Sequence, residues 1–330
     1  MRRPLFWYRP PGLISALLSP LSMIRVRRLR RRLAAGARAR VPVPVICIGD
    51  LVAGGAGKTP AAIAMAGRLM DHGFKPHAIV QPDGINAASP LRVSEHDHRA
   101  DEVGDEPLLL SAFIPTWICG DHHAAAQAAL AAGADAILLD GGFRDASLHH
   151  DLSILVVDAR RGLGNGKVMP AGPLKEPLTD AVARADILLS VGPDRDQEAF
   201  DAAWPGNTPL LHVRGVLRPL PTGLPLHGMP VVAFAGIGHP QKFFATLADM
   251  GADIRAAHAL LDHQPLHDAL ITRLRLEAKT LGAQLVTTEK DAVRLPPRFR
   301  SEVTTVPVRL DVQDWAPFDA RLASLRQTPA

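Results

Sequence analysis

The sequence is poor in cysteine and aromatic residues, and its first 49 positions contain no acidic residue. Only two of the 330 residues are cysteines, Cys47 and Cys119, and each lies in an apolar, strand-like run. A disulfide framework is therefore excluded, and reduced core cysteines of a cytosolic protein are indicated. The fourteen histidines show no zinc-finger or zincin spacing, so no zinc site is predicted.

The absence of acidic residues makes the N-terminus a strongly basic arm. Residues 1–49 contain eleven arginines and carry +11, and because the whole chain carries +4, the rest carries −7. No apolar run approaches the ~18 residues that would span a bilayer. A secretory signal is disfavoured, because the apolar run is short, is broken by Pro20 and precedes the arginines at 25–32.

Three features of residues 1–40 indicate contact with an anionic lipid surface: aromatic residues near the start, an apolar helix-length segment and clustered arginine. Nucleic-acid binding, or simple packing of the arm on the body, is the alternative. No aromatic-interleaved nucleic-acid motif accompanies the charge, so we expect no nucleic-acid partner.

The stretch from 45 to 70 has the pattern of a phosphate-binding P-loop: a β-branched strand, a glycine-rich turn, Lys-Thr and a helix. Lys58 is expected to reach the outer phosphates, and the Thr59 hydroxyl to bind Mg²⁺. The usual pattern has glycine six residues before the lysine, where this chain has Val52, so a Rossmann-type turn with an incidental lysine is the alternative. The predicted nucleotide-binding residues are Val52, Ala53, Gly54, Gly55, Ala56, Gly57, Lys58 and Thr59.

Two carboxylates, Asp140 and Asp105, lie at the ends of predicted elements, where metal binding or acid/base catalysis is possible. Asp140 ends a buried strand, where P-loop enzymes carry a Mg²⁺-side aspartate, although a turn residue is the alternative. Asp105 precedes Pro107 near the start of a helix, so it is either a capping residue or an acid/base group beside the nucleotide.

The order of strands and helices predicts an α/β protein with three parts. Residues 1–40 form the arm with a membrane-contacting helical segment, and residues 41–208 form a P-loop NTPase-like α/β/α domain. Residues 209–330 form a smaller α/β domain, joined to the first by a two-stranded β linker at 209–217 and 303–312.

Taken together, several short motifs resemble the tetraacyldisaccharide 4′-kinase (lipid A 4′-kinase) family over nearly the whole chain. Each motif is weak alone, but their order and spacing are specific. They are Pro-Leu-Phe-Trp at 4–7, Gly-Gly-Ala-Gly-Lys-Thr-Pro at 54–60, Val-Gly-Asp-Glu-Pro at 103–107, Asp140 with Gly142-Phe143, Gly-Asn-Gly at 164–166, Pro-Ala-Gly-Pro-Leu-Lys-Glu-Pro at 170–177, Phe-Ala-Gly-Ile at 234–237, Asp262-His263 and Thr-Thr-Glu-Lys-Asp at 287–291.

This resemblance implies ATP- and Mg²⁺-dependent phosphorylation of the 4′-hydroxyl of a tetraacylated glucosamine disaccharide 1-phosphate, at the cytoplasmic face of the bacterial inner membrane. We expect a peripheral, monomeric enzyme. The resemblance assigns Asp105 as catalytic base and His263 as its paired histidine. Lys58 is predicted as a further catalytic residue, and Thr59, Asp140 and Glu106 as the metal ligands.

The chain departs from the family pattern at several of these places. Gly141 replaces a second aspartate, Arg144 replaces a neutral amide, and Lys175 replaces an arginine. The segment 81–85 and His122 also differ from the usual residues. Two alternatives therefore stay open: a catalytically weakened relative that binds nucleotide or lipid, and another P-loop NTPase such as a GTPase.

Overall fold

The computed structural model describes residues 4–36, 38–82, 84–85, 87–204, 209–221, 223, 225–262 and 264–327. The strands within these residues are β1 (Val45–Asp50), β2 (Pro76–Val80), β3 (Leu91–Val93), β4 (Thr116–Ile118), β5 (Ala136–Asp140), β6 (Leu152–Asp158), β7 (Ile187–Val191), β8 (Leu211–Pro219), β9 (Pro230–Ala235), β10 (Asp253–Ala259), β11 (Gln284–Thr288), β12 (Thr304–Val306) and β13 (Val308–Val312). The α-helices are α1 (Leu13–Ala35), α2 (Lys58–Asp71), α3 (Ala100–Val103), α4 (Asp105–Ser111), α5 (His122–Ala131), α6 (Leu178–Val182), α7 (Asp194–Ala203), α8 (Pro240–Asp249), α9 (Asp268–Thr280), α10 (Glu289–Ala292) and α11 (Ala316–Gln327). Short 3₁₀ turns occupy Leu5–Tyr8 and Pro297–Phe299.

The larger sheet places the predicted P-loop near its centre. Its nine strands lie in the order β13-β8-β7-β6-β1-β5-β2-β4-β3. The pairs are parallel except at the two edges, where β3 and β13 run antiparallel to their neighbours. Because β1 lies between parallel neighbours β5 and β6, their carboxyl ends share one edge of the sheet, where open α/β sheets bind ligands.

Burial on both faces explains why β1 begins with four apolar residues, at positions 45–48. All six of its residues are buried. Ile46 and Ile48 pack into one core cluster with α2 and α11, whereas Val45 and Cys47 pack into another with α5. Alternating side chains thus bury against helices on both faces of the sheet, which confirms the predicted α/β/α sandwich.

The second sheet has four parallel strands in the order β10-β9-β11-β12. The predicted linker segment 209–217 lies largely in β8, whereas the segment 303–312 contains both β12 of the smaller sheet and β13 of the larger one. Strands β8 and β13 pair antiparallel, with Leu310 opposite Leu217, and β8 also pairs with β7. The β linker therefore extends the larger sheet. Strand β8 is followed along the chain by β9 of the smaller sheet, and β13 is preceded by β12 of that sheet. The domain boundaries at 40 and 208 stay a prediction.

The basic arm forms the 23-residue helix α1. Its Ser22 hydroxyl donates to the Val168 carbonyl oxygen at 2.7 Å, and the Asn165 side-chain amide donates to the Ser15 hydroxyl at 3.1 Å. The arm therefore packs on the Gly- and Pro-rich segment that follows β6. Among the described residues, no helix is both long enough and apolar enough to cross a membrane.

Candidate active site

The predicted P-loop is a turn between β1 and α2. Helix α2 begins at Lys58, and its N-cap Gly57 has φ +94°, a left-handed conformation that glycine adopts without a steric cost. Thr59 is buried in the first turn of this helix. The N-terminus of α2 thus faces the loop with its free N–H groups and partial positive charge, as phosphate binding requires.

The first two predicted nucleotide-binding residues have other partners. The Val52 side chain is buried in a core cluster, and its backbone forms a bridge with Leu174. The Ala53 N–H donates to the Pro173 carbonyl oxygen at 2.9 Å. Valine therefore fits where the usual pattern has glycine, because this part of the loop is anchored to a neighbouring segment. The backbone from Gly54 onward is left to face a phosphate.

Three cations converge on Asp50, the last residue of β1. Its carboxylate accepts hydrogen bonds from Lys58 Nζ at 3.0 Å, Lys175 Nζ at 2.6 and 2.7 Å, and Arg144 Nη2 at 3.1 Å. Asp50 is 2% exposed, whereas the side chains of the three cations are each 21–23% exposed. The carboxylate therefore lies beneath a group of cations that reach solvent.

The charged residues of this cluster shift one another's pKa values. Burial would raise the pKa of Asp50, but Lys58, Lys175 and Arg144 outweigh it and hold that pKa far below its usual range. Burial would lower the pKa of Lys58, but Asp50 and Asp140 keep it above its usual value. Burial, aided by the charges of Arg144 and Lys58, lowers the pKa of Lys175 despite the opposing charge of Asp50.

Asp140 ends β5 directly opposite Ile48 of β1. It is buried, and neither carboxylate oxygen has a hydrogen-bond partner among the described residues. Burial and the nearby charge of Glu106 raise its pKa to about 7. A buried, unpaired carboxylate beside a P-loop fits Mg²⁺, which is commonly held by one or two carboxylates together with substrate phosphates and water.

Asp105 and Glu106 form the first turn of α4. The Glu106 N–H donates to Asp105 Oδ1 at 3.0 Å, and Asp105 is buried. Helix α4 contacts α2, and the charge of Glu106 acts to raise the pKa of both Lys58 and Asp140. Helix α4 therefore brings its acidic first turn to the P-loop. The structure therefore gathers Lys58, Thr59, Asp140, Asp105 and Glu106 at one edge of the larger sheet.

Two cations from α10 and the residues just after it complete the acidic side of the site. Lys290 Nζ lies 3.0 Å from Glu106 Oε1 and 3.9 Å from Asp105 Oδ2. Arg294 Nε lies 3.8 Å from the same Asp105 oxygen, and an Arg294 guanidinium N–H donates to the Gln264 carbonyl oxygen. The segment after β11 of the smaller sheet thus reaches the candidate base. No local sequence pattern indicates these two partners of Asp105 and Glu106.

The predicted paired histidine, His263, lies outside the described residues, and its role stays a prediction. Asp50 was also missed, although a carboxylate at the end of the strand that enters a P-loop is a signal that the sequence does contain. Lys175 and Arg144 were noted only as departures. Their common partner explains why they occur together with Asp50.

Comparison with known proteins places the chain in a family. The family model described as tetraacyldisaccharide-1-P 4′-kinase matches residues 14–327. The chain is 57% identical to the tetraacyldisaccharide 4′-kinase of Jannaschia sp. (strain CCS1) over 320 residues, which are 97% of this chain and 98% of that protein. It is 51% identical to the tetraacyldisaccharide 4′-kinase of Dinoroseobacter shibae over 329 residues, covering 98% of both chains.

A solved structure agrees with this placement at the level of fold. The crystal structure of LpxK from Aquifex aeolicus in complex with ATP matches with a TM-score of 0.77 and 22% identity, over 95% of this chain and 99% of that one. The family match spans nearly the whole chain. The chain belongs to the tetraacyldisaccharide 4′-kinase family.

Proposed function

We propose that this protein transfers the γ-phosphate of ATP to the 4′-hydroxyl of a tetraacylated glucosamine disaccharide 1-phosphate, a step of lipid A biosynthesis. One observation carries the proposal beyond family membership. Lys58 and Thr59 begin the helix after the P-loop, and the unpaired carboxylate of Asp140 lies at the same edge of the sheet. This arrangement supports a nucleotide-binding loop beside a metal-binding carboxylate.

The nucleotide phosphates are held by the loop and by side-chain cations. Backbone N–H groups from Gly54 to Thr59 face the phosphates, and the Lys58 ammonium contacts the outer ones. Thr59 and Asp140 would hold Mg²⁺, which neutralises charge on the β- and γ-phosphates. Glu106 is proposed as the third metal-side ligand, and Lys290 is its partner in this structure.

Asp105 is the proposed base. As the 4′-oxygen bonds to the γ-phosphorus and the bond to the ADP oxygen breaks, the hydroxyl proton passes to the Asp105 carboxylate. The N–H of Glu106 fixes Oδ1 of this carboxylate. We propose that His263 acts with Asp105 in this proton transfer.

The arm provides a route to a lipid acceptor. Leu13, Leu17, Leu21 and Ile24 of α1 are more than half exposed, and exposed arginines follow them on the same helix. An apolar face beside clustered arginine is typical of helices that rest in an anionic lipid interface. We propose that the protein attaches peripherally to the cytoplasmic face of the inner membrane, where its lipid substrate and ATP are both available.

The direct test is transfer of label from γ-labelled ATP to tetraacyldisaccharide 1-phosphate by the purified full chain. Lys58→Ala should lose on the order of 10²–10³ in rate, since one positioned donor to the developing phosphate charge is removed. Lys279→Ala is the matched control, because Lys279 is exposed near the end of α9. No transfer by the parent protein would refute the proposed function, and full activity of Lys58→Ala would remove Lys58 from the mechanism.

A further inference from the structure

Three cations, Lys58, Lys175 and Arg144, surround the single anion Asp50 and form a cation cluster. The proposed reaction does not by itself require this anion. Lys58, Lys175 and Arg144 come from α2, from the segment before α6 and from the loop after β5. Their nitrogen atoms all lie within 3.1 Å of the Asp50 carboxylate. Without a central anion, three positive charges at this spacing would repel one another.

The position of Asp50 orients all three side chains. Its Oδ1 accepts from Arg144 and Lys175, and its Oδ2 accepts from Lys58 and Lys175. Arg144 also donates to the Asp50 carbonyl oxygen at 2.7 Å, which fixes the guanidinium beside the end of β1. A buried carboxylate with this many charge-assisted bonds holds its partners in one geometry.

Two further charged residues, Glu176 and Arg184, adjoin the cation cluster. Glu176 is fully buried and pairs with Arg184, and Arg144 Nη1 lies 3.8 Å from the other Glu176 oxygen. Counting Asp50 and Glu176 against Lys58, Lys175, Arg144 and Arg184, the cluster keeps a net charge of +2. That charge attracts a phosphate, and Asp50 lies on the buried side of the cations.

We propose that Asp50 is a positioning residue for phosphoryl transfer, which gathers Lys58, Lys175 and Arg144 into one phosphate-facing cluster, and that Arg144 is present to balance its charge. The inference rests on the proposed function for its catalytic consequence. It concerns the γ-phosphate, because Lys58 is the P-loop lysine. Asp50 does not touch the substrate, so it acts only through its three cations.

The charge balance suggests a pair of double variants as the test. Asp50→Asn keeps the shape and raises the cluster charge to +3. Adding Arg144→Gln restores +2 and supplies an amide that donates to the side-chain oxygen retained at position 50. Adding Arg144→Lys instead keeps +3, so D50N/R144K is the matched control for D50N/R144Q.

Turnover and MgATP affinity should respond differently. We expect D50N to lower kcat about tenfold or more through misplaced Lys58, while MgATP affinity is not weakened, because an anion was removed. D50N/R144Q should recover kcat to within about threefold of R144Q alone, because the effects of substitutions at two contacting residues do not add. D50N/R144K should show no such recovery. Parent-like kcat in folded D50N, or equal kcat in the two double variants, would overturn the proposal.

Thermal unfolding of the ligand-free proteins separates this inference from the proposed function. The proposal predicts that D50N/R144Q has a higher Tm than both D50N and D50N/R144K, because it relieves the crowding of cations. The comparison needs no phosphate transfer, so it tests the charge balance around Asp50 even if the parent protein is inactive. If D50N does not fold, the two double variants are compared directly, and a Tm for D50N/R144K equal to or above that of D50N/R144Q would refute the charge balance.

Discussion

The ammonium nitrogen of Lys290 lies 3.0 Å from Oε1 of Glu106, so an ion pair joins the helix after β11 to the helix that carries the proposed base. Burial alone would raise the pKa of Glu106, but the charges of Lys290 and Lys58 outweigh it and hold that pKa below its usual value. The smaller sheet thereby helps to keep a carboxylate beside the P-loop in its charged form.

Lys290→Ala should therefore move the acidic limb of the pH–kcat profile to higher pH. Removing the ammonium lets burial and Asp105 raise the pKa of Glu106, so a higher pH is needed to ionise it. The measurement is kcat against pH at saturating MgATP for the parent, Lys290→Ala and the exposed-lysine control Lys279→Ala. An acidic limb at the same pH in all three proteins would exclude this role for Lys290.

The affinity for Mg²⁺ should rise with pH through the neutral range. Because the pKa of Asp140 is raised to about 7, the metal must displace a proton below that pH, and its affinity should change by about tenfold per pH unit there. Titrations of nucleotide-bound protein with Mg²⁺ at pH 6 and pH 8 measure this dependence. Asp140→Asn should bind Mg²⁺ weakly at both pH values and lose the difference between them.

The same pKa shift predicts how metal-free stability depends on pH. The folded pKa of Asp140 lies above its unfolded value, so the stabilisation is present at low pH and is lost as the pH rises through about 7. Metal-free parent protein should therefore lose more stability than Asp140→Asn between pH 6 and pH 8. A stability difference between the two proteins that does not vary with pH would contradict this assignment.

The family resemblance predicts a second metal-side carboxylate at the position that Gly141 occupies. Its φ of +103° is strained for any L side chain, although a Cβ atom there meets nothing within 4 Å. Gly141→Asp and Gly141→Ala should both lose about 1–3 kcal/mol of unfolding free energy. If the missing carboxylate matters, Gly141→Asp should need less Mg²⁺ for half-maximal activity than Gly141→Ala, which carries the same strain. Equal Mg²⁺ requirements would show that the site does not use this position.

Lipid attachment is best tested by substitution in the full chain, because α1 packs on the segment after β6 through Ser22. Arg27→Ser with Arg28→Ser should weaken binding to anionic vesicles about thirtyfold, from ~1 kcal/mol per surface basic residue. Arg273→Ser with Lys279→Ser removes two exposed charges from α9 and should leave binding unchanged. Co-sedimentation at low and high salt measures both, and equal binding by the two double variants would contradict the role of the arm.

Local sequence was sufficient to predict the P-loop and the sandwich around it. A β-branched run, a glycine turn and an amphipathic helix lie within the single stretch 45–70, so their pattern needs no distant contact to interpret. The buried strand before Asp140 was predictable for the same reason, and parallel pairing then places its end beside β1.

The interactions that shape the site could not be predicted in this way. Arg144 and Lys175 lie 94 and 125 residues from Asp50 along the chain, and the three meet only because β1, β5 and the segment before α6 share one sheet edge. Lys290 contacts Glu106 across 184 residues, through an approach of the smaller sheet that no local pattern encodes. Tertiary packing, rather than propensity, determines these contacts.

The proposed reaction transfers phosphate to one hydroxyl of an acylated disaccharide. The most direct measurement is phosphorus–proton correlation NMR of the product formed from ATP, Mg²⁺ and tetraacyldisaccharide 1-phosphate by the full-length protein. We expect one new phosphorus resonance coupled to the proton at the 4′ position, absent from the Lys58→Ala reaction. A new phosphorus resonance coupled to any other ring proton, or ATP consumed with no phosphorylated lipid, would refute the proposed function.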